Sequence, residues 1–362
     1  MPTVRLWTGR EANVLRRALR LSVRAFAEHL GVAVRTVSKW EQWGEATQPR
    51  PDTQAILDTA LERASAADQM RFQMLLAETG GLPPSRDVQQ LVPHVWDYET
   101  WADDLERAVV MLSRQNFPSA TTLIDRWLTR FPAERLEPKG LYLHARSLAL
   151  LGDARRDQGV LVGPLSAHRS YRQAMGIFSE LDIPRRVAQI ELSLAVVAEM
   201  TGSLQAAAYR YEQLACDERL SGRDRARSRL WVGTAVSKDG EHDYAARVMA
   251  EATREFEDLD EAGDWSVAQQ KLALAYRGAG DLGRALQFID VALTSGTDDT
   301  PLQRVRLSTA HAHILLTDKA TRGHGLNLLD QTARLAMESG LSHQLRSIRA
   351  IRRNFEASSG TG

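Results

Sequence analysis

Residues 22–41 read SVRAFAEHLGVAVRTVSKWE. The spacing predicts a helix, a sharp turn and a second helix. Ser22 is placed to cap the first helix, because its hydroxyl can accept from a free backbone N–H there. Ala25, Phe26, Ala27 and Leu30 recur on one face, the mark of a helix packed on a core. Gly31 stands where the chain must reverse; lacking a Cβ, it takes the positive φ that ends a helix at little cost. Val32, Val37 and Trp40 supply the apolar side of the second helix. Arg35, Thr36, Ser38 and Lys39 are left facing outward. Such a set can hydrogen-bond base edges and neutralise phosphates.

Working outward, Thr8 is a good N-cap for a helix running to Leu21, with Ala12, Leu15, Ala18 and Leu19 as its buried stripe. After Glu41, Gly44, Pro49 and Pro51 mark a loop. Asp52 or Thr53 is expected to cap the next helix, whose Ile56, Leu57, Ala60 and Leu61 complete a small bundle. A further helix from Ala66 to Glu78 carries Met70, Phe72, Met74, Leu75 and Leu76. That is more apolar surface than a free connector shows, so it packs on the bundle, bridges onward or joins a dimer.

Ser22, Phe26-Ala27, Leu30-Gly31-Val32, Thr36-Val37-Ser38 and Trp40-Glu41 together resemble the helix-turn-helix of the XRE/Cro repressor family over roughly the first 65 residues. The resemblance implies a second helix docked in the major groove of a double-stranded DNA operator, in a homodimer. It implies base or groove contacts from Val34, Arg35, Thr36, Ser38 and Lys39. Phosphate contacts would come from Ser22, Arg24 and Arg50. It also implies that Glu41 pairs with an arginine of the first helix, here Arg16. The chain departs from the pattern at Ala33, where the family usually carries a Ser or Thr cap.

Charge supports this division. The chain is neutral overall, with 46 basic and 46 acidic residues, but residues 1–50 hold nine Lys/Arg against four Asp/Glu, a net of +5, leaving −5 on the remainder. Positive charge is thus concentrated where a phosphate backbone would need it. The single cysteine, Cys216, excludes an internal disulfide and fits a reducing cytoplasm. No run approaches the roughly 18 apolar residues of a membrane span, and the opening MPTVRLWTGREA has no apolar signal core. The expected localisation is cytoplasmic, with no membrane partner.

Thr79 to Pro93, TGGLPPSRDVQQLVP, reads as a linker. From Trp96 onward the pattern is helical and repetitive. The clearest copy is Gln270 to Ser295, QKLALAYRGAGDLGRALQFIDVALTS, with Ala273, Tyr276, Gly280, Leu282, Ala285, Ile289 and Ala292 at regular places. Gly233, Val236, Gly240, Ala245, Met249 and Ala252 repeat the order, as do Ala195, Ala198, Gly202, Leu204, Ala207 and Tyr211. Ala145, Leu148 and Gly152 begin an earlier copy. Gly202, Gly240 and Gly280 fall 38 and 40 residues apart. These segments resemble tetratricopeptide repeats (TPR), antiparallel helix pairs in which small residues permit close approach. Asp104 to Pro132 fits a first copy. Leu302 to Gly340 fits a last one, with an insertion around Arg322-Gly323-His324-Gly325.

The expected fold is all-α: an N-terminal helix-turn-helix bundle followed by an α-solenoid of TPR-like pairs, six in number. The domains run 1–65 (DNA binding), 66–95 (connector helix and linker), 96–356 (repeat array for sensing and dimerisation) and 357–362 (disordered tail). An array of this kind has a concave groove, for which Tyr276, Arg277, His311 and His313 are candidate ligand residues. The whole resembles quorum-sensing regulators whose repeat domains bind short peptides, so a peptide, small-molecule or protein effector is the expected partner. His311 and His313 resemble half a metal site, but no acidic or cysteine ligand lies near; no metal, cofactor or enzymatic role is expected, for want of a P-loop, nucleophile elbow or zinc-protease motif. The rival reading is an interaction scaffold on a TPR array that never binds DNA.

Overall fold

The computed structural model describes residues 4, 6–79, 95–295 and 300–359; within them are eighteen α-helices and no strand. The chain divides into two compact units, Met1–Leu150 and Leu151–Gly362. Residues 80–93 of the expected linker lie outside the described residues.

The first unit begins with α1 (Gly9–Ala18), α2 (Val23–Leu30), α3 (Val34–Trp43), α4 (Pro51–Arg63) and α5 (Ala66–Thr79). Thr8 and Glu11 form a reciprocal capping box that starts α1. The helix stops at Ala18, short of the expected Leu21, because Arg20 takes a φ of 56°. Ser22 Oγ accepts from the Ala25 amide at 3.1 Å and starts α2; Gly31, at φ 67°, closes it. Pro51 opens α4 with Arg50 as the N-cap, in place of the expected Asp52 or Thr53; proline's fixed φ suits the first helical position, where no N–H partner is needed. Phe26, Leu30, Val37, Trp40, Leu57 and Leu61 close one core with Trp7 and Leu15. The fifth helix folds back on it: the Phe72 and Trp7 rings lie 5.9 Å apart, and Arg71 Nε donates to the Ala18 carbonyl at 3.1 Å.

Gln54, Asp58 and Thr59, polar residues of α4, are also buried. The cover is α6 (Val95–Ser113), which pairs with α7 (Phe117–Arg130) as the first repeat. Arg107 of α6 is 1% exposed and grips both Asp58 oxygens through Nε and Nη2. Trp7 Nε1 donates to Asp58 Oδ1 at 2.8 Å, and the Trp7 amide donates to Gln54 Oε1 at 3.3 Å. Burial pushes the Asp58 carboxyl up, while Arg107 and Trp7 oppose that shift. A charge pair out of water persists only when its hydrogen bonds are met, and a bidentate arginine meets them. The N-terminal bundle and the first repeat are therefore one packed body.

Helix α8 (Pro138–Asp157) crosses from one unit to the other. The second unit continues with α9 (Ala167–Glu180), α10 (Pro184–Met200), α11 (Leu204–Ala215), α12 (Gly222–Lys238) and α13 (His242–Asp258). It ends with α14 (Ala262–Gly278), α15 (Leu282–Thr294), α16 (Pro301–Leu315), α17 (Arg322–Glu338) and α18 (Ser342–Ser359). Six antiparallel pairs, α6/α7 to α16/α17, are followed by the single α18: an α-solenoid of TPR-like pairs. Gly202, Gly240 and Gly280 make the turns inside three pairs at φ 91°, 107° and 83°, where a Cβ would be strained. Gly233 serves packing instead, since a Cβ there would lie 2.6 Å from Met249 Cγ.

Three repeat details differ from expectation. Gly152 lies inside α8 against the Tyr171 ring, and Gly159, at φ 77°, makes the turn. Arg322-Gly323-His324-Gly325 is the first turn of α17, and the extra length expected around it lies just before, in the six-residue connection 316–321, where α14 and α15 are joined by the three residues 279–281; Gly325 is there because a Cβ would press on the α16 backbone. The last helix runs on to Ser359, three residues into the stretch read as a tail; residues 360–362 lie outside the described residues.

Removing one partner of the buried pair leaves an uncompensated charge, so Asp58→Ala should cost about 3–5 kcal/mol in urea unfolding. Asp58→Leu combined with Arg107→Met should recover most of that loss. An Asp58→Ala midpoint equal to the parent's would contradict the pairing.

Candidate nucleic-acid interface and effector groove

Helix α3 shows the amphipathic split in full. Val37 and Trp40 are buried; Val34, Arg35, Ser38 and Lys39 are exposed, and Thr36 is half-buried. Ala33 provides no side-chain cap, so α3 starts on backbone geometry alone. Its far end is fixed closely: a Cβ on Gly9 would lie 2.5 Å from the Trp40 carbonyl oxygen. Arg16 pairs with Glu41 and also donates to the Leu21 carbonyl at 2.8 Å. That arginine binds α1 to α3 and to the end of its own turn.

The charges fall into two groups. Arg10, Arg16 and Arg71 are paired with carboxylates inside the unit. Arg24, Arg35, Lys39 and Arg50 are exposed and form no ion pair among the described residues. Lys39 Nζ rests 5.9 Å from the centre of the Trp43 ring, itself 55% exposed. Ser22, exposed at the start of α2, spends its hydroxyl as a cap. An outward helix face bearing cations, a hydroxyl and a small apolar residue has the chemistry of a groove-reading surface.

In the second unit, alternate helices touch along one side: α10 with α12, α12 with α14, α14 with α16, and α16 with α18. The first helix of each pair therefore lies on the inside of the curve. Arg346 Nη2 donates to the Gly159 carbonyl at 3.1 Å, bringing α18 against the turn that follows α8.

The four ligand candidates sit at the α14–α17 end of this array. Tyr276 stacks on Phe288 of α15 at 5.3 Å, with Arg284 over its ring. Arg277 Nε donates to the His313 carbonyl at 2.9 Å and to Thr317 Oγ1 at 3.1 Å, bracing α14 on α16. Burial and the Arg277 charge push His313 down to about 4, and burial lowers His311, whose ring lies 6.3 Å from that of His324. Arg277 and His313 are thus brought together, while Tyr276 belongs to the seam between α14 and α15. No group of three or more metal-ligating side chains occurs among the described residues.

Residues that sequence reasoning missed carry more of the inner charge. Lys238 Nζ donates to Glu199 Oε1 at 2.7 Å, and Tyr211 donates to Glu199 Oε2 at 2.9 Å. Lys271 of α14 lies over Trp231 at 5.3 Å. Burial, then the positive charges of Lys238 and Arg306, lower it to about 7. His343 of α18 falls to about 4 for related reasons: burial first, then Lys238, Arg346 and Arg306. A signal was present, since Glu199 and Lys238 stand 39 residues apart, one repeat, with Arg277 at the same offset beyond.

Solved structures share this arrangement. The Rap conjugation gene regulator of plasmid pLS20, in complex with the Phr* peptide, aligns with TM-score 0.54 at 12% identity over 98% of each chain. Aspartyl phosphate phosphatase F from Bacillus subtilis aligns with TM-score 0.51 at 12% identity, over 99% of this chain and 95% of that one. A Rap protein complexed with competence and sporulation factor aligns with TM-score 0.50 at 15% identity, over 96% of this chain and 98% of that one. The likeness is one of fold. No family model matches the chain, and no curated protein matches it in sequence. No described helix is long and apolar enough to cross a membrane.

Folded Lys271 gives up its proton near pH 7, whereas the unfolded lysine holds it to about 10.4. Between those values the unfolded state binds more protons, so stability must rise with pH. The parent should gain in urea midpoint over Lys271→Gln as pH goes from 7 to 10. A constant difference would contradict the burial of this amine.

Proposed function

We propose that this protein is a transcription regulator of the XRE/Cro type whose TPR-like array senses a peptide or similar small effector and joins two copies into a homodimer. One observation carries the reading. Helix α3 hides Val37 and Trp40, is locked to α1 by Arg16 and Glu41, and turns unpaired Arg35 and Lys39 outward beside Ser38 and Val34. In this reading Arg35 contacts a base edge and Lys39 a phosphate. Arg24 and Arg50 add backbone contacts, and Thr36 supports the groove face.

The sensing half of the proposal draws on the array's inner face and on the neighbours' peptide complexes. Arg277, His311 and His313 stand on the first helices α14 and α16 of the array. An effector that favours one curvature shifts the population toward it. Two DNA-reading helices must stand about 34 Å apart to meet successive major grooves, so a change of a few ångströms between copies breaks simultaneous contact.

Salt dependence separates this reading from a protein-binding scaffold. Fluorescence anisotropy on DNA upstream of the protein's own gene should show affinity falling steeply with salt, through counterion release. Arg35→Ala should lose about 1–3 kcal/mol and relax sequence preference, while Lys39→Ala should weaken all sequences alike and flatten the salt slope by about one. Parent-like binding by both variants would reject the α3 assignment.

A further inference from the structure

Three helix pairs of the second unit turn at a glycine of positive φ, so Gly202, Gly240 and Gly280 set a common register. Three positions in that register fall along the seam of each pair: four residues before the glycine, four after it and eight after it. In α14/α15 they hold Tyr276, Arg284 and Phe288. The two rings stack at 5.3 Å, and the Arg284 guanidinium lies 5.3 Å from the centre of the Tyr276 ring. In α12/α13 they hold Val236, Tyr244 and Val248, and both valines pack on the core around Tyr211. In α10/α11 they hold Ala198, Ala206 and Arg210.

The small residues of α10/α11 leave space where the later pairs carry bulk. Helix α10 packs on both α9 and α11, and a groove of about 240 Å³ lies between those two second helices. Ala195 and Ala198 of α10 form its floor; Met175 of α9 and Ala206 of α11 form its walls. The first helices touch along the inner curve, so a groove floored by the back of a first helix opens on the opposite, outer side. Its rim is charged. Glu191 pairs with Arg210 at 2.6 Å and with Arg219 at 2.8 Å. Arg172 of α9, on the same rim, is exposed and forms no ion pair or hydrogen bond among the described residues. One cation is left over beside an apolar cleft.

The chain itself shows what suits this register: an aromatic ring beside a guanidinium, as at Tyr276 and Arg284. The groove's 240 Å³ is less than the roughly 300–1,000 Å³ of a drug-sized site, so one or two rings fill it. We propose that the outer groove over α10 binds a small aromatic carboxylate. The ring lies on Ala198 and Ala206 beside the Arg210 guanidinium, and the carboxylate meets Arg172. This site is separate from the inner face of the array and from α3, and it rests on neither of the roles proposed for them.

Methionine methyl NMR of the full-length protein tests it, because Met175 lines the groove and the chain has only eight methionines. Met175→Leu identifies its signal. Three probes are added in turn: indole-3-acetate, its neutral isostere indole-3-acetamide, and acetate. The site predicts that indole-3-acetate shifts the Met175 signal saturably, that the amide binds about fivefold more weakly, the scale of a half-exposed charge pair, and that acetate does nothing. Arg172→Gln should erase the difference between acid and amide. Ala206→Tyr, which installs the residue found one pair further on, should abolish the response to both. An unchanged signal from Met249, buried in the next pair, reports an intact fold in each variant. An indifferent Met175, equal binding of acid and amide by the parent, a response to acetate alone, or parent-like binding by Ala206→Tyr would each overturn the proposal.

Discussion

A carboxylate and a guanidinium held together out of water join the two ends of the first unit. Asp58 belongs to α4 of the N-terminal bundle and Arg107 to the first helix of the repeats, 49 residues later. Neither could stand buried alone, since an isolated interior charge costs several kcal/mol. Trp7 and Gln54 complete the set of donors and acceptors around them. The bundle thus meets the first repeat through a specific, fully hydrogen-bonded contact, and its position on α6 is fixed by chemistry as well as by shape.

That fixation matters for α3. The helix is anchored from below by Trp40 and Val37, from the side by Arg16 and Glu41, and at its end by the close approach of Gly9. The cations of its outer face form no ion pair among the described residues. A rigid helix presenting unpaired cations is preorganised for an anionic surface, and little ordering entropy is lost on binding. Along the second unit the inner helices carry charge as well: Lys238 is bonded to Glu199, while Lys271 lies over the Trp231 ring.

Much of this was legible in the sequence. The helix-turn-helix stretch announced itself through Ser22, Gly31 and the alternation of Val37 and Trp40 with Arg35, Ser38 and Lys39, all local signals. The repeat glycines at 202, 240 and 280 marked their turns for the same reason: positive φ is a local demand. Gly152 and Gly325 misled because a glycine serving close packing looks like one serving a turn until the opposing side chain is known. The Asp58–Arg107 pair was illegible, since nothing in ILDTAL or LERAVV tells which distant charge will meet it. The inner-groove cations were only partly hidden; they recur at the repeat spacing, but charge on a helix face reads first as solvent exposure. The tertiary partner, unknown from sequence, decides between the two.

The central claim is that the N-terminal unit reads duplex DNA through α3. The most direct measurement is selection of bound fragments from genomic DNA by the purified full-length protein, followed by sequencing. The account predicts a small set of enriched fragments sharing a pair of half-sites spaced by about one helical turn, and loss of that enrichment in the Arg35→Ala protein. A pool no different from the input, recovered at low salt where electrostatic binding is strongest, would contradict it.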